Sequence, residues 1–109
     1  MEVRWLPFAQ EQLEVVVRYL VDNFGEMTAK NSLQSILDKV DALRACPERS
    51  VWDKKFSTSL VKVRHLNIGP TVLYYLLDQE EVVVIAVMHC KQSPATVNRT
   101  IRYVLDNYM

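Results

Sequence analysis

Lys62 and Arg64 stand two residues apart within Leu60 to Leu66, a stretch whose alternation is that of a β-strand. Residues so spaced leave a strand on the same face, so the two cations can clamp a phosphate or a carboxylate. The same pair also fits an ordinary solvated strand face. His89 directly follows Val82 to Met88, a continuous apolar run. An imidazole at a strand end sits at the rim of a sheet, where it can act as acid, base or phosphate donor, or be held structurally by a hydrogen bond. Lys91 follows two residues later. Tyr74 and Tyr75 are consecutive on a strand and point to opposite faces, which predicts one ring in the core and the other toward the charged surface, where it could stack on a base. Trp52 beside Lys54, Lys55 and Phe56 reads either as a basic aromatic edge or as a loop tryptophan tucked over the core.

Other chemistries have no foothold. Gly25 and Gly69 are the only glycines, so there is no phosphate-cradling loop, and no HExxH or GxSxG motif occurs. Cys46 and Cys90 have neither CxxC spacing nor a surrounding cluster of ligands. They predict no metal, no cofactor and no disulfide framework, but small apolar residues in a reducing cytoplasmic setting. The 13 basic and 13 acidic residues cancel, which excludes a globally basic nucleic-acid binder. Charge is nevertheless uneven, with Lys54, Lys55, Lys62, Arg64, His65, His89, Lys91, Arg99 and Arg102 gathered in the second half and many acids on the two helices of the first. This asymmetry points to an anionic partner.

The elements that must position these groups follow from periodicity. Val3 and Trp5 alternate with their neighbours in a short strand that Pro7 closes. From Ala9 to Phe24, apolar residues at 13, 16, 17, 20 and 24 recur at helical spacing, and Gly25 stands at the stop. Thr28 is the expected cap of a second helix with its stripe at Leu33, Ile36, Leu37, Val40 and Leu43, ending by Pro47. A polar stretch from Pro47 to Thr58 precedes a change of period from near 3.6 to near 2. The Leu60 to Leu66 strand, a turn at Asn67, Gly69 and Pro70, a strand from Thr71 to Leu77, a turn from Asp78 to Glu81 and a strand from Val82 to Met88 follow. The last of these reads as a strand buried on both faces. Ser93 and Pro94 then open a closing helix striped by Val97, Ile101, Val104, Leu105 and Tyr108. The predicted order is β, α, α, β, β, β, α.

With 109 residues, 50% of them apolar and 24% charged, the composition is that of one globular domain spanning 1–109, large enough for a core without staples. No run approaches the roughly 18 apolar residues of a membrane span, and no signal peptide is expected.

Order and spacing resemble the RelE/ParE toxins of bacterial type II toxin-antitoxin systems, the plasmid stabilisation proteins, over nearly the whole chain. The resemblance rests on Val3-Arg4-Trp5-Leu6-Pro7 with Ala9 and Leu13, on Cys46-Pro47-Glu48 after the second helix, and on three later pieces. These are Arg64-His65-Leu66, Val72-Leu73-Tyr74-Tyr75, and Val87-Met88-His89 followed by Lys91 and Pro94. It implies an α+β fold in which an N-terminal strand and helical hairpin pack on a small, mostly antiparallel twisted sheet, with a C-terminal helix. It implies a cognate antitoxin that neutralises the toxin by wrapping a segment over it, growth arrest as the outcome, and no cofactor.

Targets diverge within the resemblance. ParE-like members inhibit DNA gyrase by protein binding, whereas RelE-like members cleave mRNA on the ribosome. In the RelE-like case Arg64 and Lys62 would hold the phosphate, His89 or Tyr74 would move protons, and Lys91 would stabilise charge. Against that pattern, Ala86 stands where a basic residue is frequent, the basic pair after the histidine is reduced to Lys91 and Gln92, and Ser93 replaces a common acid. Losing even one preorganised donor costs about 2.7–4 kcal/mol of barrier, which favours the ParE-like reading over the endonuclease. A degenerate, non-toxic member is a further alternative, and oligomeric state is not legible.

Overall fold

The computed structural model describes residues 1–48, 51–53, 57 and 62–108, with backbone alone at 51–53. Eight elements run in the order β1 (Glu2–Trp5), α1 (Pro7–Phe24), α2 (Glu26–Ala42), β2 (Val51–Asp53), β3 (Val63–Ile68), β4 (Thr71–Asp78), β5 (Glu81–His89) and α3 (Pro94–Tyr108). The strands form one sheet in the order β1-β5-β4-β3-β2; β1 lies parallel to β5 and the other pairs are antiparallel. The architecture is the expected α+β one, with one strand more than the periodicity predicts. β2 falls in the polar stretch after Pro47 and, at three residues, is too short to show a period. Of the residues singled out there, Lys54, Lys55, Phe56, Leu60 and Val61 lie outside the described residues, as does the side chain of Trp52.

Two helix boundaries differ from expectation for local reasons. Pro7 does not merely stop β1. It occupies the first turn of α1, where a missing N–H costs nothing and φ is already helical, so the helix starts two residues before Ala9. Gly25, at φ 90°, closes α1 by donating to Val21 O and opens α2 by accepting from Ala29 N, at 3.0 and 3.1 Å. The second helix therefore starts at Glu26 and is capped by Gly25 rather than by Thr28. Ser93 is the cap expected at the head of α3, its Oγ accepting from Thr96 N at 3.2 Å.

The sheet is covered on both faces. The α1–α2 hairpin buries Ala9, Ile36, Val40 and Leu43 against Leu73, Tyr75, Val82, Val84 and Val87. On the other face, Ile101, Val104 and Leu105 of α3 pack on Val63, Tyr74, Leu76, Val83, Ile85 and Met88. Residues 82–88 of β5 are all buried, as their unbroken apolarity requires, each large one contributing about 1.5–3 kcal/mol. A register shift opposite Tyr74 and Tyr75 makes Ala86 and Val84 their partners and leaves Ile85 as an extra residue, a β-bulge. Ile85 and Ala86 consequently both pack in the α3-side cluster. Among the described residues no helix is long and apolar enough to cross a membrane, and no group of three His, Cys, Asp or Glu could hold a metal.

Candidate functional site

Arg64 is the second residue of β3, half-buried, in register with Tyr75 of β4. Its Nη1 donates to the carbonyl of Glu48 at 3.3 Å, while the hydroxyl of Tyr75 donates to the carbonyl of Pro47 at 2.8 Å. Both side chains thus fasten the segment leaving α2 to the sheet. Lys62 is exposed and precedes the first residue of β3, so it is not the strand partner of Arg64 that the alternation predicts.

The prediction that one of the two tyrosines faces the charged surface is overturned. Tyr75 is fully buried under the hairpin and Tyr74 is 8% exposed under α3, because both sheet faces are covered by helices. The Tyr74 ring lies 6.0 Å from that of His65.

His89 ends β5 in register with Thr71, at the other end of the sheet from Arg64. Its Nδ1 accepts from Lys91 N at 3.0 Å, and its own N–H is taken by Gln92 Oε1 at 3.1 Å. The imidazole therefore shapes the turn into α3. Cys90 N donates to Pro70 O at 2.8 Å and joins this turn to the β3–β4 turn. Lys91 is exposed there. Four residues along the strand and two strands across put Arg64 roughly 17 Å from His89. The structure brings His89 and Lys91 together at one rim, holds Arg64 on the hairpin side of mid-sheet and sinks Tyr74 into the opposite core.

A different constellation, which the spacing did not reveal, surrounds a groove of about 880 Å³ between β1, the start of α1 and the last turns of α3. Leu6, Phe8 and Val104 contribute apolar surface, and Tyr103 and Tyr108 add aromatic rings. At one end Arg4 Nε pairs with Glu81 at 3.3 Å and Nη2 reaches the Tyr108 hydroxyl at 3.4 Å, with the guanidinium 5.9 Å from the ring centroid. Tyr108 donates to Asp78. Burial, then the hydrogen bond to Asp78 and its charge, push the Tyr108 phenol above its ordinary pKa, and Arg4 partly opposes them. These contacts join residues 30 to 104 apart in sequence, so no local motif announces them.

The sequence model of the ParE toxin of the type II toxin-antitoxin system parDE matches residues 3–94. No curated protein matches. Among solved structures, a chain of "Chromosomal ParDE TA system from P. aeruginosa" superposes with a TM-score of 0.68 at 17% identity, covering 84% of this chain and 97% of that one. That likeness is one of fold and agrees with the hairpin-on-sheet architecture. Matched from β1 to the head of α3, the chain belongs to the ParE toxin family of type II toxin-antitoxin systems.

Proposed function

We propose that the chain arrests growth in the cytoplasm by binding DNA gyrase, without chemistry of its own, and that a cognate antitoxin neutralises it. The observation that carries this reading is the dispersal of the groups an endonuclease would need. Phosphoryl chemistry requires a base, an acid and charge-stabilising donors converging within hydrogen-bond reach of one phosphate. Here Arg64 serves the Pro47–Glu48 segment, Tyr74 is sealed beneath α3, and His89 and Lys91 lie at a distant rim. The zero net charge fits a protein target better than an RNA backbone.

The test pairs two reactions. Purified chain should inhibit gyrase supercoiling in a dose-dependent way, and addition of its antitoxin should restore the activity. The same chain should leave a reporter mRNA uncut in a purified translation reaction read by primer extension. Ribosome-dependent cuts that vanish in Arg64→Ala and His89→Ala would replace this reading with the endonuclease. Normal growth on induction of folded protein, with supercoiling unaffected, would leave the degenerate member standing.

A further inference from the structure

We propose that the groove between β1, the start of α1 and the end of α3 is a docking site for a short basic segment of a partner polypeptide, one carrying an aromatic or branched aliphatic anchor beside lysine or arginine. The site goes beyond the proposed function, which uses no residue of this groove.

The shape argues for an anchor. At about 880 Å³ the groove falls within the ~300–1,000 Å³ of sites that take ligands, and Leu6, Phe8 and Val104 make it apolar. Tyr103 is 60% exposed, and its ring stands 6.3 Å from that of Phe8 at an interplanar angle of 59°. An aromatic pair already set in a tilted arrangement and open to solvent is a preformed contact surface, since it pays little ordering entropy on binding.

The electrostatics choose the sign of the partner. The β4–β5 turn at the end of the groove carries Asp78, Glu80 and Glu81. Of the three, Asp78 lines the groove together with Arg4, which is already engaged by Glu81 and Tyr108; Glu80 and Glu81 stand beside it on the turn, so acids outnumber this base at that end. The C-terminal end of α3 lies at the same place with no basic residue in its last turn, adding the negative pole of the helix dipole. Lysine or arginine beside the anchor would meet this field favourably, and an acidic segment would be repelled.

A phage-displayed library of short random peptides, selected on the full chain, tests the assignment. Enriched peptides should carry an aromatic or aliphatic anchor next to Lys or Arg, and chemically synthesised winners should lose about tenfold in affinity on Tyr103→Ala. They should also weaken on Glu80→Lys and with rising salt. Both substitutions are at exposed positions, and circular dichroism would verify that each variant is folded. Acidic or uncharged winners, winners that bind Tyr103→Ala as tightly as the parent, or no enrichment at all would overturn the proposal.

Discussion

Gln12 provides the sharpest test of how the hairpin is locked to the sheet. β1 ends at Trp5, in register with Val84, so past that point the β1-side edge of β5 has no neighbouring strand. Val87, 2% exposed, would present its N–H there with nothing to receive it, and Gln12 of α1 supplies the acceptor, Oε1, at 2.7 Å. Replacing Gln12 by leucine keeps the helix and most of the volume but leaves a buried donor unpaired, which costs about 1–3 kcal/mol. Against a total stability of about 5–15 kcal/mol for a domain of this size, that is a substantial fraction. Urea denaturation should show a lower midpoint at unchanged slope, and Tm should fall by about 4–8 °C per kcal/mol lost. Gln12→Glu keeps an acceptor at the same place and should retain most of the stability. Amide exchange of Val87 should accelerate in the leucine variant. A leucine variant as stable as the parent, with Val87 equally protected, would refute the reasoning.

Tyr75→Phe removes the hydroxyl that donates to Pro47 O and should cost about 0.5–1.5 kcal/mol by urea unfolding, with faster amide exchange in the segment after α2. Gly69 sits at φ +60°, where an added Cβ would meet nothing within 4 Å, so Gly69→Ala should cost about 1–2 kcal/mol from backbone conformation alone, and Gly69→Asn less. Because the Tyr108 phenol titrates higher folded than unfolded, the folded chain holds its proton longer. The resulting stabilisation is complete below the unfolded value of 10.0 and is lost as pH rises through the folded pKa. Thermal denaturation above pH 10 should therefore decline more steeply for the parent than for Tyr108→Phe; parallel profiles would contradict the assignment.

Periodicity carried most of the architecture because the sheet is covered on both faces. β5 could announce itself as an unbroken apolar run only if helices lay on either side, and the stripes at Ile36, Val40 and Leu43 and at Ile101, Val104 and Leu105 mark those helices. Boundaries were less legible where one residue serves two elements, as Pro7 and Gly25 do. The candidate site was the least legible. A two-residue spacing tells which side chains share a face but not what covers that face, and α3 lies over the very face to which Tyr74 turns. His89 and Arg64 read as chemical groups in sequence, yet each has a backbone partner whose position depends on a turn or loop elsewhere. The groove at Arg4 has no signature in sequence because its residues meet only after the first and last elements are brought side by side.

The parallel pairing of β1 with β5 sets Glu2 opposite Glu81 and Trp5 opposite Val84, so the first strand to be synthesised waits for the last before it has a neighbour. On a translating ribosome the α1–α2 hairpin therefore emerges before the strands that cover its apolar stripe, and pairing across so long a loop slows folding. Any harm this chain does through its folded surface is thereby deferred until nearly all of it has been made, a delay written into strand order rather than into any separate control element.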